Sequence, residues 1–271
     1  MTTGPHGDAT PAVRSDDRGA VRTLRLDRPT KLNALDESIR VGLERSLREL
    51  EDRPDIRVLV IAGTGRSFSA GADLAAGPPD AAASTWTGRR HAAGAWQRLL
   101  DLLERVPQAT VASIHGHCYG GAALLAVSCD IRIAADDVQV RIPELALGIP
   151  LTWAGVPRLA REVGLPLARD LVMTGRTLDA GDALRAGFVQ RVAPAAELAE
   201  ATAALVGELT AMPAGPLAMT RALFAALGRD RLGPAGWADA DVLSWSRREP
   251  EGIAAAQDYV RDLARARGRG T

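Results

Sequence analysis

His115-Gly116-His117-Cys118-Tyr119-Gly120-Gly121-Ala122 is the stretch on which the reading of this chain turns. An apolar run, Ala109 to Ile114, leads into it, and another, Ala122 to Cys129, leads out. The pattern is strand, glycine turn, helix. Two glycines at a helix start let a ligand approach the backbone and leave peptide N–H groups without partners. Those groups carry the positive end of the helix dipole. Such a place can hold a phosphate, or an oxygen that becomes negative during a reaction. A close helix–strand packing turn would use the same glycines, so the turn alone leaves both readings open.

Upstream lies a comparable loop. Ile56 to Ala62 is almost wholly apolar, as a strand buried on both faces should be. It runs into Gly63-Thr64-Gly65-Arg66-Ser67-Phe68-Ser69-Ala70-Gly71-Ala72-Asp73-Leu74, whose small residues again permit close backbone approach. Ala75 to Thr87 is rich in alanine and proline, lacks periodicity and is expected to be a flap. Trp96, Leu99, Leu100, Leu103 and Val106 then recur as a helical stripe. Further back, Val13 to Leu26 reads as a β-hairpin turning at Asp16-Asp17-Arg18-Gly19. A loop from Arg28 to Leu35 follows. Asp36 is the expected N-cap of an amphipathic helix carrying Ile39, Leu43, Leu47 and Leu50 and ending before Pro54.

Downstream, Ile131–Ala135 and Val138–Arg141 read as short strands. The first half thus repeats a strand–strand–helix unit, which argues α/β. Glu144 follows among apolar neighbours, the only charged residue between Arg141 and Arg158. Desolvation there would raise its pKa into the range useful to a general acid or base, whereas a solvated loop would leave it ordinary. From Trp153 onward the chain is mostly helical. A break is expected at Val163-Gly164, a short helix from Asp179 to Arg185 and a strand over Phe188–Val192. Helices follow over Glu197–Met212, Pro216–Leu227 and Glu251–Ala266.

Composition narrows the function classes. The 271 residues are 46% hydrophobic and 24% charged, with zero formal net charge, so no electrostatic case exists for a nucleic-acid partner. Lys31 is the only lysine. Two cysteines, Cys118 and Cys129, make no disulfide framework and are expected as buried thiols. No His/Cys cluster has metal-ligand spacing. No run approaches the length of a membrane span. Residues 1–12 are polar, lack a signal-peptide core and are expected to be a disordered tail of a cytoplasmic protein.

Four segments together resemble the crotonase superfamily, the enoyl-CoA hydratases, isomerases and their relatives. They are Asp27-Arg28-Pro29-Thr30-Lys31-Leu32-Asn33-Ala34-Leu35, Phe68-Ser69-Ala70-Gly71-Ala72-Asp73-Leu74, His115-Gly116…Gly120-Gly121-Ala122…Cys129-Asp130, and Pro143-Glu144-Leu145…Leu147-Gly148. The resemblance covers roughly Val13 to Ala266. It implies a spiral of ββα units over residues 13–195 and a helical oligomerisation region over 196–271, assembled as a homotrimer or a hexamer. It implies that backbone N–H groups of Ala72 and Gly121 hold a thioester oxygen and that Glu144 is the acid/base. Arg28 and Lys31 are placed near coenzyme A. Ala70, Asp73, Leu74, Gly120, Leu124 and Trp153 are expected to line the acyl-CoA site, with Asp73 also capping a following helix. Coenzyme A enters as part of the substrate, and neither a further cofactor nor a metal is implied.

The sequence also departs from the family. Hydratases carry a second glutamate at the position of Leu124, so the departure favours double-bond isomerisation by a single carboxylate over hydration. Weak hydration, acyl-CoA binding without turnover, and thioester hydrolysis or C–C cleavage are the alternatives. Thr152 stands where some relatives place a catalytic aspartate. His115 and His117 are expected to be structural, neither having a nucleophile partner at a recognised spacing.

Overall fold

The computed structural model describes residues 11–76, 85–232 and 239–268. The hairpin forms from β1 (Val13–Arg18) and β2 (Val21–Leu26), antiparallel. Its turn is tighter than the sequence suggests. Asp16, Asp17 and Arg18 pair in register with Thr23, Arg22 and Val21, leaving Gly19 and Ala20 as the turn. Gly19 supplies the left-handed φ of +56° such a turn requires. The chain is already ordered at Ala12, whose carbonyl accepts from Asp27 N at 2.8 Å. The expected tail therefore stops short of residue 12, and its first ten residues lie outside the described ones.

Helix α1 (Glu37–Glu49) starts at Asp36, whose carboxylate accepts from Ile39 N at 3.0 Å. Strand β3 (Val58–Gly63) lies parallel to β2. Of the expected flap, residues 77–84 lie outside the described residues. Trp86 and Thr87 belong instead to α2 (Trp86–Ala93), because Thr85 Oγ1 accepts from Gly88 N at 3.1 Å and caps it. Helix α3 (Ala95–Leu103) buries Trp96, Leu99, Leu100 and Leu103 as their spacing predicts. Strand β4 (Ala109–Ile114) runs into β5 (His117–Tyr119), a short strand hidden inside the glycine turn, and α4 (Gly121–Val127) follows.

The remaining core elements are β6 (Ile131–Ala135), β7 (Gln139–Arg141), α5 (Gly155–Val163), α6 (Leu165–Thr174), β8 (Thr177–Leu178), α7 (Ala180–Arg185) and β9 (Arg191–Ala193). The strand expected over Phe188–Val192 sits later. Phe188 is buried but its carbonyl accepts from the Arg132 side chain, so it packs as a turn. The large sheet has the order β1-β2-β3-β4-β6-β9, parallel from β2 onward. One face packs on α1, α3 and α4 through Leu59, Ile61, Ala112 and Ile114. The other carries Val58, Val60, Val111 and Ile133 under Leu198 and Leu205 of α8 (Leu198–Ala211). Burial on both faces explains why β3 and β4 read as continuous apolar runs.

The second layer makes the repeat visible. It comprises β5-β7-β8, extended by single-residue parallel bridges, Ser69 with Cys118 and Leu35 with Ala72. Each turn of the chain therefore contributes a strand to the large sheet, a short piece to the second layer, then a helix. This is the crotonase-like α/β spiral of ββα units. The C-terminal helices are α9 (Ala214–Leu232), α10 (Asp239–Ser246), which sequence periodicity missed, and α11 (Pro250–Gly268). They fold back on the core. Arg90 of α2 reaches Asp241 of α10 at 3.1 Å, and Gly148 and Gly252 touch so closely that a Cβ on Gly148 would stand 2.3 Å from Gly252 O.

Candidate active site

Two loops meet at the ends of adjacent second-layer pieces. Gly71 stands at φ +85°, and a Cβ there would lie 2.6 Å from Tyr119 O and 3.8 Å from Gly120 Cα. Only glycine lets the small-residue loop rest on the glycine turn. Ala72 is held by its neighbours: Leu35 N donates to Gly71 O at 2.7 Å and Asp73 N to Leu35 O at 2.9 Å. The Ala72 N–H itself donates to no described group. Gly121 opens α4, so its N–H has no intrahelical acceptor. The structure thus brings the loop that carries Ala72 against the turn that carries Gly121.

Glu144 begins a 3-10 turn, separated from the strand β7 by Ile142 and Pro143. Gly120, at φ +52°, makes room for it: a Cβ there would meet Glu144 Oε1 at 2.6 Å. The residue is 9% exposed, and its Oε2 is buried without a hydrogen-bond partner. Burial pushes its pKa up to about 7, with a backbone hydrogen bond opposing weakly. An orphaned buried carboxylate oxygen is costly and clusters at functional sites. Ala72, Gly121 and Glu144 follow the second-layer pieces of three successive turns, which is how residues 72 positions apart in the chain converge.

The other expected residues divide. Ala72, Asp73, Leu74 and Trp153 line a cleft of about 460 Å³, together with Leu35, Trp96 and the α11 residues Ile253 and Ala256. Leu124 points into the core, 1% exposed, against Gly155, where a Cβ would stand 2.8 Å from its Cδ1. No carboxylate occupies that position. Ala70 serves the loop through its N–H to Leu32 O at 2.9 Å. Arg28 is committed internally: its guanidinium contacts Asp36 at 3.0 Å, Asp73 at 2.9 Å and Ala34 O at 2.6 Å. Lys31 is more open, 56% exposed in its side chain, with Nζ 3.5 Å from Asp73 Oδ2. Asp73 caps a turn rather than a helix, accepting from Ala75 N at 3.1 Å. Burial would raise its pKa, but Arg28 and Lys31 hold it below the ordinary value.

His117 has a partner that its sequence spacing did not show. Its Nδ1 lies 2.7 Å from Ser67 Oγ. Ser67 is 1% exposed, and burial, with Arg66, lowers the His117 pKa, so the pair is a packed neutral contact. Cys118 and Cys129 are buried free thiols, the latter pushed up to about 12 by burial. Asn33, which the sequence marks only as part of a motif, ties the Arg28–Leu35 loop to the small-residue loop. It is fully buried, donates to Thr64 O and Ser67 O at 2.8 Å each, and accepts from Arg28 N. A polar residue inside an apolar run was the available signal. A second cavity, about 540 Å³ under α9, contains none of the expected site residues.

A family model described as enoyl-CoA hydratase/isomerase matches residues 16–248. The chain belongs to the enoyl-CoA hydratase/isomerase family. Similar proteins within that family include the "Probable enoyl-CoA hydratase echA8" of Mycobacterium tuberculosis, 38% identical over 205 residues, 74% of this chain and 77% of that protein. The crotonyl-CoA hydratase of Syntrophomonas wolfei is 32% identical over 187 residues, 69% of this chain and 70% of its own. Among solved structures, an enoyl-CoA hydratase/isomerase from Xanthobacter autotrophicus superposes with a TM-score of 0.84 at 24% identity, covering 94% of this chain and 95% of that one. At that identity the match speaks for the fold, which is shared almost end to end. No helix among the described residues is long and apolar enough to cross a membrane.

Proposed function

We propose that this enzyme shifts the double bond of an enoyl-CoA, with Glu144 as its single acid/base and the N–H groups of Ala72 and Gly121 as its oxyanion hole. The observation that carries the reading is the Glu144 carboxyl. It is buried, has one orphaned oxygen, lies against Gly120 and titrates near neutral pH. Its carboxylate removes a proton from the α-carbon of a β,γ-enoyl thioester. The electron pair moves through the thioester carbonyl to give a dienolate, whose oxygen takes the two N–H bonds. The same carboxyl returns the proton at the γ-carbon, so the α,β-enoyl product forms with no net change in atoms or electrons. Coenzyme A arrives as part of the substrate, with Lys31 beside its phosphates; no other cofactor enters this scheme. Leu124 supports one carboxylate rather than two.

Hydration is the second reading, favoured by the names of the relatives at 32–38% identity. Assays of the purified chain with β,γ- and α,β-enoyl-CoAs separate the two. Isomerisation outpacing hydration, and lost in Glu144→Gln, is the expected result; hydration alone overturns the preference. We also propose that the protein assembles as a homotrimer or a hexamer. The exposed apolar side chains Met219, Leu223 and Phe224 on α9 support it. Light scattering returning a monomer would contradict assembly.

A further inference from the structure

We propose that the stacked indoles of Trp96 and Trp153 set the chain-length limit of the cleft and restrict the enzyme to short acyl thioesters. The inference rests on the reading of the cleft as an acyl-CoA site. It starts from the backbone. Trp153 stands at φ +63° and Ala154 at φ +52°, two consecutive left-handed residues that are not glycine. Such backbone is strained and persists only where its surroundings hold it. Here Ala154 N donates to Asp239 Oδ2 at 2.7 Å, and Arg158 Nη1 donates to Trp153 O. Arg158 is itself fully buried and paired with Glu104 at 3.1 Å.

These tethers decide where the indole goes. Its Cζ3 and Cη2 lie 2.3 and 2.7 Å from the point a Cβ on Gly121 would occupy, so the ring edge rests on that glycine. Its face stacks on Trp96 with centroids 5.1 Å apart and planes 13° from parallel. Trp96 is 6% exposed and anchored on α3. The space beside the proposed oxyanion donor is therefore filled with aromatic carbon. The stacked rings leave no width for a methylene chain between them. A rotamer change would forfeit both the stack on the buried Trp96 and the contact with Gly121, so the wall is held by the ring's own packing as well as by the tethered backbone. Both indoles line the cleft that also holds Ala72, so a long acyl chain entering it from the proposed donor runs into the stacked rings, whereas a short one ends before them.

The test is the chain-length profile of the full-length protein. Trp153→Gly removes the ring and suits the left-handed backbone, which protects folding; Trp153→Phe is the conservative companion. Isomerisation of β,γ-enoyl-CoAs with butenoyl, octenoyl and dodecenoyl chains is measured for each. Wild-type kcat/KM should fall by roughly tenfold or more from butenoyl to dodecenoyl, the scale of misfit in a closed apolar pocket. Trp153→Gly should abolish or reverse that ratio, with Trp153→Phe between. A flat wild-type profile, or an unchanged ratio in Trp153→Gly, overturns the proposal. So does preferred turnover of an aryl-substituted enoyl-CoA, which would make the indoles a stacking platform. Calorimetry with butyryl- and dodecanoyl-CoA separates the two levels of inference. Selective binding of the short chain without turnover keeps the limit and rejects the enzymatic reading, whereas binding of neither rejects both.

Discussion

At the residue scale the chemistry concentrates in Glu144. A carboxyl whose pKa is pushed up to about 7 is a base only when deprotonated, so kcat/KM should rise with pH and level off above about 7. A pH–rate profile flat from about 5 to 9 would remove Glu144 from that role. Glu144→Gln should lower kcat by about 10²–10⁴-fold. The same burial has a stability consequence. The folded pKa lies above the ordinary value of 4.5, so the folded state favours the protonated form. Its stabilising contribution is complete below that ordinary value and is lost as pH rises through about 7. Glu144→Gln should therefore be more stable than wild type above about pH 7, by about 3 kcal/mol, the difference closing toward about pH 4. Thermal melts at both ends check the sign. Gly120→Ala should place its Cβ on Glu144 Oε1 and strain a left-handed backbone, abolishing turnover while far-UV circular dichroism is retained.

At the scale of elements, α10 acts on the site from a distance. Asp239 at its start holds Ala154 N, and through it the backbone that aims Trp153. Asp239→Ala should shift the chain-length ratio in the same direction as Trp153→Gly, whereas Asp239→Asn, which still offers an amide oxygen, should keep the wild-type ratio. A purely structural role would change stability in Asp239→Ala without moving that ratio. The glycine turn was legible in sequence because Gly120-Gly121 between apolar runs has few other readings. The strand β5 inside it was not, since His117-Cys118-Tyr119 is too short for any periodicity and exists only by pairing with β7. Helix α10 was missed because its burial is confined to Ala240, Leu243 and Ser246.

At the scale of the whole molecule, buried ion pairs lock the helices to the spiral. Arg158 on α5 is fully buried between Asp101 and Glu104 of the α3 region, and Arg221 on α9 reaches Asp130 at 2.9 Å. Arg158→Ala leaves Glu104 buried without this partner and also frees the Trp153 carbonyl. It should cost about 3–5 kcal/mol, read as a lower denaturant midpoint. No change in midpoint would contradict the burial of the pair. The sequence by itself determined the repeated α/β units, the small-residue loops, the Asp36 cap and the isolation of Glu144 among apolar neighbours. All of these are local patterns of side-chain size, charge and period. Only the tertiary structure decided that Gly71 rests on Tyr119, that Gly120 accommodates the Glu144 carboxyl, that Arg28 is occupied internally and that Trp153 lies on Gly121. Those relations join residues from successive turns of the spiral. They depend on strand pairing and tethered backbone, which no linear spacing encodes.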